Sequence, residues 1–371
     1  MFKNDKTAPP RQRASGSAKR LRLAALIVAL GVVAAACGSA RTLEGTAAEI
    51  YDGECVSESD QELTVYSGRT ENLVQPVLDA FQCETGITVA VRWGASTDLA
   101  LLLAEEGDRT PADVFLSRSP GPVGFLANAG LLSTVDGDVA NLVTADYRSD
   151  ERTWVGFTGR QRVLVYNLDN VADDELPASI FDLTDERYRG RVAIPATNGS
   201  FVDWFTVFRD QQGSDTAAQW LDDMVANDAR YYPNNRSIVE AAGRGEIDMG
   251  LVNHYYQYQV AAALGDDHRA ANWDFAGGDI GSMLIITAAT VTAASDQPAL
   301  ANQFIAYLLS EAAQEYFSNE TLEYPLAAGV APAPVLPPLR GPEVGSIDFD
   351  ALGDGFARST EIIEASGILN E

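Results

Sequence analysis

Residues 62–93 read ELTVYSGRTENLVQPVLDAFQCETGITVAVRW. Leu63-Thr64-Val65-Tyr66 is a short strand that ends at Ser67-Gly68. Leu73, Val77 and Phe81 then recur at helical spacing, and Gly86 ends that helix. Thr88 to Trp93 is the next strand. A helix marked by Leu99, Leu102 and Leu103 follows, with Ser96 as its N-cap residue. Ala112 to Leu116 is a third strand, and a helix runs on to Leu132. Strand, helix and strand in this order predict a parallel sheet with crossover helices.

The same alternation continues downstream. Strands are predicted at Arg162–Tyr166, within Ile180–Ala196, at Ile247–Val252 and at Met283–Val291. Helical spacing covers Phe201–Val225 with a break at Gly213, then Ser237–Gly243, Tyr255–Leu264 and Ala299–Phe317. Ala331 to Pro342 is Pro-rich and reads as a strap without strand structure. Two α/β lobes, with the chain crossing between them twice, fit this order. Ligands of open α/β sheets sit beyond the carboxyl ends of the strands, which here means the cleft.

The 371 residues include 53 acidic and 26 basic side chains, a formal charge of -27. Apolar residues make up 46%, enough for a sizeable core. Nothing in this balance offsets phosphate repulsion, so no nucleic-acid partner is expected. The only histidines are His254 and His268, which rules out a His-rich zinc centre.

Seven Lys and Arg residues crowd positions 3–22, and an apolar run follows from Leu23 to Ala36. That run is too short to span a bilayer comfortably and suits a signal peptide over residues 1–36. Val33-Ala34-Ala35-Ala36-Cys37 resembles a bacterial lipobox, with Ala34 in place of the usual Leu. The resemblance implies lipidation at Cys37 and anchoring on the outer face of the cytoplasmic membrane; a plain secretory signal is the alternative. Residues 37–61 are expected to form a flexible tether. Cys55 and Cys83 read as an extracytoplasmic disulfide or as two separate thiols.

Gly-x-Ser-x-Gly, Walker A, Cys-x-x-Cys and His-Glu-x-x-His motifs are all absent. The acidic pairs Glu105-Glu106 and Asp222-Asp223 read as solvated helix faces. Asn253-His254-Tyr255-Tyr256 is the informative segment, because it closes a strand and opens a helix. Two adjacent tyrosines there can project into one cleft. Phenolate is a hard oxygen donor that suits Fe3+, and a trivalent ion would ionise a phenol whose free pKa is near ~10. Core packing or an aromatic sugar platform are the alternatives for such a pair.

Between about Leu63 and Pro325 the chain resembles the ferric-iron-binding proteins of bacterial ABC importers, which have the type II periplasmic binding-protein fold. Val65-Tyr66-Ser67-Gly68-Arg69, Thr158-Gly159-Arg160, Tyr232-Pro233-Asn234-Asn235, Asn253-His254-Tyr255-Tyr256 and Glu323-Tyr324-Pro325-Leu326 carry the likeness in order and spacing. It implies an α/β fold of two lobes, each a mostly parallel sheet flanked by helices, with the ligand cleft between them. The lobes would comprise 62–157 with 284–371, and 158–283. The hinge would lie near Phe157–Arg160 and Ser282–Leu284.

The resemblance implies a monomeric, non-enzymatic receptor that passes Fe3+ to a membrane permease. It places the metal on Tyr255 and Tyr256. It places a synergistic phosphate or carbonate on Asn198, Gly199, Ser200, Asn235 and Asn253. Thr70 stands where many members have a histidine ligand, and Arg118 where some have a glutamate. Glu71 is a candidate carboxylate ligand, although a helix-start Glu that complements the dipole is the simpler reading. Arg69, Arg118 and Arg160 are further candidates for holding the anion. A receptor for a phosphonate, sulfonate or thiamine phosphate on the same fold is the rival reading.

Overall fold

The computed structural model describes residues 41–338 and 355–370. The expected signal peptide, Cys37 and the end of the expected Pro-rich strap lie outside these residues.

The opening segment forms β1 (Glu62–Ser67), a helix (Glu71–Thr85) and β2 (Thr88–Trp93). Gly86 caps that helix with φ of 71°, a conformation glycine adopts without penalty. The remaining strands are β3 (Val114–Ser117), β4 (Leu132–Ser133), β5 (Val155–Asn167), β6 (Val192–Ile194), β7 (Arg230–Tyr231), β8 (Met249–Asn253), β9 (Ala270–Trp273), β10 (Leu284–Thr292) and β11 (Tyr324–Pro325). The main path runs β2-β1-β3-β10-β5-β8-β6-β7. β1 pairs in parallel with β2 and β3, and β6 with β7 and β8, whereas β5 and β10 are antiparallel to their neighbours.

β5 serves both halves of this sheet. Val155 to Gln161 pair with β10, and Arg162 to Asn167 pair with β8 and β9. The sequence pattern captures only the second half of β5. Gly156, Thr158, Gly159 and Arg160 dilute the apolar signal of the first half, although every residue from Val155 to Val165 is buried.

Period-2 alternation distributes side chains between the two faces. Leu63 and Val65 enter one core with Phe81 and Phe304, whose rings meet edge to face at 5.2 Å. Tyr66 and Phe115 face the other, which continues into Phe201, Trp204, Phe208 and Trp220. The helix expected over Ala299–Phe317 is two helices, Pro298–Leu308 and Glu311–Asn319. Ser310 starts the second by accepting from Ala313 N–H at 3.3 Å. Ser96 lies inside its helix rather than before it, and its hydroxyl instead accepts from Arg118 N–H at 2.9 Å.

Residues 41–61 of the expected tether are held on the domain. Thr46–Ile50 is a short helix that buries Ala47 and Ile50. Cys55 and Cys83 form a disulfide across 28 positions. Closing a loop of that length stabilises the folded state by roughly 3–4 kcal/mol. The helix Gly355–Ala365 packs against Gly199–Gln212: Thr206 and Ser359 hydroxyls lie 2.7 Å apart, and Arg209 donates to Gly355 O at 2.8 Å. This end of the chain therefore lies against the segment expected to be the second lobe, although residues 284–371 are allotted to the first. Among the described residues no helix is long and apolar enough to cross a membrane.

Candidate metal and anion site

Tyr255 and Tyr256 open the helix Tyr255–Leu264 directly beyond β8. Consecutive helical residues usually diverge, but at the first turn the two rings lie 4.3 Å apart at 33°. With Gln259 they form one wall of a cavity of about 160 Å³. The opposite wall comes from Arg69 and Thr70 in the loop after β1, from Asn72 and Leu73 in the first turn of the helix Glu71–Thr85, and from Arg118 just after β3. The cavity thus joins the carboxyl ends of β1 and β3 to that of β8. Among the described residues no Asp or Glu lines it.

Of the residues expected to bind, the structure brings together Tyr255, Tyr256, Arg69 and Arg118. Glu71 is exposed in the first turn of its helix and lines no part of the cavity. Thr70 occupies the wall beside it. Among the described residues no three His, Cys, Asp or Glu side chains are grouped to hold a metal.

Of the residues expected to hold an anion, Ser200, Asn235 and Asn253 are buried, Asn198 is partly buried and Gly199 is exposed, and the four side chains form one hydrogen-bonded cluster. Asn198 Oδ1 accepts from Ser200 Oγ at 2.7 Å, Ser200 N at 3.1 Å and Asn235 Nδ2 at 3.2 Å. Asn235 Oδ1 accepts from Asn253 N at 3.0 Å and from Arg162 at 3.2 Å. Asn253 Nδ2 donates to Ser200 Oγ at 3.2 Å, and Arg162 donates to Ser200 O at 2.7 Å. Most of these groups satisfy one another. Asn253 Oδ1 and Arg162 Nε are buried without a partner. Gly199 lines a separate cavity beside Val202 and Phe356, and a Cβ placed on it would lie 3.5 Å from the Arg118 guanidinium.

Arg160 is buried behind the cavity rather than in its wall. It donates to Arg118 O, and its Nε lies 3.9 Å from Glu323 Oε1. Burial lowers its pKa, and Tyr255 and then Glu323 act against that shift. Arg162 is pushed down to about 9, first by burial and then by Arg160. Arg160 and Arg162 share one face of β5, an i, i+2 pair of cations in a buried strand. That spacing was visible in the sequence, yet Arg162 escaped selection.

Charge balance around the phenols follows from this. Burial raises the Tyr256 pKa above that of a free phenol, Tyr255 adds to the rise, and Arg160 and Arg118 oppose it. Burial and the neighbouring phenol therefore favour a protonated Tyr256. A multiply charged cation would supply the attraction needed to ionise it.

Sequence reading also passed over His254. Its ring is buried and held neutral, with a pKa pushed down to about 4 chiefly by burial. Larger cavities lie elsewhere, among them two of about 490 and 570 Å³. The first lies between Phe125, Val202 and Phe356 and is mostly apolar; the second lies under Pro334–Pro338 against Tyr258 and Trp273. Neither presents paired phenols with cations opposite.

Residues 109–350 match the bacterial extracellular solute-binding protein family, and this chain belongs to it. Proteins of this class bind and hand on solutes without breaking bonds, so the chain is not an enzyme. It is 29% identical to the Fe(3+)-binding periplasmic protein of Serratia marcescens over 319 residues, covering 85% of this chain and 94% of that one. Identity to the major ferric iron-binding protein of Neisseria meningitidis is 27% over 310 residues, covering 83% and 93%. Iron-bound HitA from Pseudomonas aeruginosa superposes with a TM-score of 0.75 at 31% identity, over 83% of this chain and 99% of HitA. The two-lobed α/β architecture is shared with these structures.

Proposed function

We propose that this protein captures Fe3+ outside the cytoplasm and delivers it to an ABC permease. Tyr255 and Tyr256 supply two phenolate oxygens. The observation that carries this reading is the pair itself: two phenols stacked at a helix start, facing Arg69 and Arg118 across a cavity without carboxylates. The names of the relatives agree with it.

An Fe3+ ion held by two phenolates keeps open positions for exogenous oxygen donors. Arg69 and Arg118 face that space and suit an oxyanion such as phosphate or carbonate, since guanidinium groups bond planar oxyanions at two points. The Asn198–Ser200–Asn235–Asn253 cluster would hold the same anion only by exchanging some of its internal hydrogen bonds. Lobe closure about β5 and β10 would sequester the ion. Lipidation at Cys37 would keep the receptor beside its permease.

The arginines also favour the rival reading, an organic-anion receptor. Volume argues against it: small-molecule pockets typically span about 300–1,000 Å³, and this cavity has about 160 Å³. Titration of the metal-free protein with ferric citrate tests the proposal. Tyrosinate-to-iron charge transfer should produce a visible band that saturates at one ion per chain. No band, and no heat of binding, would reject the ferric reading.

A further inference from the structure

His254 sits between the crossover strand and the tyrosine pair, with both ring nitrogens engaged. Nδ1 accepts from Gln161 N–H at 3.1 Å. An imidazole that accepts at Nδ1 carries its proton on Nε2, and Nε2 lies 2.8 Å from Leu322 O. The backbone of His254 is tied as well: its N–H donates to Gln161 O at 3.0 Å, and its carbonyl accepts from Asn272 Nδ2 at 2.8 Å. The ring stacks on Tyr324 at 4.8 Å between centroids.

What lies beyond Leu322 gives this bond its meaning. Leu322 has φ of 60°, a left-handed conformation that L side chains resist and that persists only where surroundings hold it. The next residue, Glu323, receives both terminal nitrogens of Arg69, at 3.0 and 2.6 Å, and lies near Arg160. Arg69 lines the cavity opposite the phenols. One imidazole therefore links the start of the tyrosine helix to the turn that anchors the facing cation.

We propose that His254 is a positioning residue of the metal site, and that its Nε2–H bond to Leu322 sets the register between Tyr255–Tyr256 and the arginine wall. This rests on the ferric reading of the tyrosines. The strand bond to Gln161 serves folding; the bond to the Leu322 turn serves the site.

Two amide replacements separate the two bonds. His254→Asn puts an amide near the place of Nδ1 and retains the Gln161 bond alone. His254→Gln puts an amide near the place of Nε2 and retains the Leu322 bond alone. Iron affinity is read by competition with citrate, together with the energy of the visible band and the melting temperature of the metal-free protein. The Gln variant should hold iron nearly as the wild type does, with the band unmoved. The Asn variant should lose roughly tenfold or more in affinity, with a shifted band, the expected cost of a lost bond and misplaced ligands. Equal losses in both variants, or losses that merely track melting temperature, would overturn the proposal.

A measurement on the wild type covers the case in which the variants do not fold. Imidazole 15N shifts should report a neutral ring protonated at Nε2, and the Nε2–H resonance should move on loading with diamagnetic Ga3+. A proton on Nδ1, or a resonance indifferent to Ga3+, would overturn it. Wild type that takes up neither Fe3+ nor Ga3+ would reject the ferric reading together with this one. Normal uptake with indistinguishable Asn and Gln variants rejects this one alone.

Discussion

Glu323 grips Arg69 through two bonds of 3.0 and 2.6 Å between side chains 254 positions apart and almost fully buried. Arg160 approaches the same carboxylate at 3.9 Å. Two cations share one anion, so loss of Glu323 would leave both buried without a counter-charge. Glu323→Ala should lower stability by about 3–5 kcal/mol, measured by denaturant unfolding of the metal-free protein. A change within experimental scatter would mean that the arginines reach water when the acid is removed.

Tyr255→Phe and Tyr256→Phe each remove one phenolate oxygen and leave ring packing in place. Each should weaken iron binding by well over a factor of roughly ten and bleach or shift the visible band, because the chromophore loses a ligand. Stability of the metal-free protein should change by less than about 1 kcal/mol. Asn235→Ala should behave in the opposite way. The band should survive while stability falls by about 1–3 kcal/mol, since Arg162 and Asn253 N–H lose a buried acceptor. Phe variants that bind iron normally would make the tyrosines packing residues.

Asp203 is buried and its pKa is pushed up to about 6, chiefly by burial, with Arg160 the largest opposing influence. Its folded-state pKa lies above the unfolded value near ~3.9. Its stabilising contribution is therefore fully present below the unfolded value and lost as pH rises through about 6. Asp203→Asn should be the more stable protein at pH 7, by roughly 2–3 kcal/mol, and the advantage should vanish by about pH 4. Parallel pH–stability curves for the two proteins would contradict this.

Gly121 lies against the C-terminal helix Gly355–Ala365: a Cβ built on Gly121 would come within 1.7 Å of the Phe356 ring. Gly121→Ala should displace that helix and lower stability by about 1–3 kcal/mol. Adding Phe356→Ala should remove the collision, so the double variant should be no less stable than Phe356→Ala alone. Additive losses, read from thermal unfolding, would show that the ring does not occupy that space.

Much of the fold is legible along the chain because its signals are local. Leu63, Val65 and Tyr66 alternate faces within four residues, and Gly86 ends a helix by its own conformational freedom. The tyrosine pair was likewise visible, since a strand stop and a helix start bracket Tyr255 and Tyr256. Short pieces such as β7, β9 and β11 were not, because two to four residues carry too little periodicity to stand out. The helix Gly355–Ala365 was also passed over, behind a Pro-rich stretch that broke the reading.

By itself the sequence determined the α/β alternation, the adjacency of two tyrosines at a helix start and the absence of a histidine cluster. Each depends on neighbours within a few positions or on composition. Tertiary structure decided which cations face those phenols. Arg69 and Arg118 line the cavity, whereas Arg160 and Arg162 lie behind it, and Glu71 stays outside. That partition depends on where β5 crosses the sheet and on Glu323 arriving from the far end of the chain. Burial and long-range charge pairing set it, and neither leaves a periodic trace in the residues concerned.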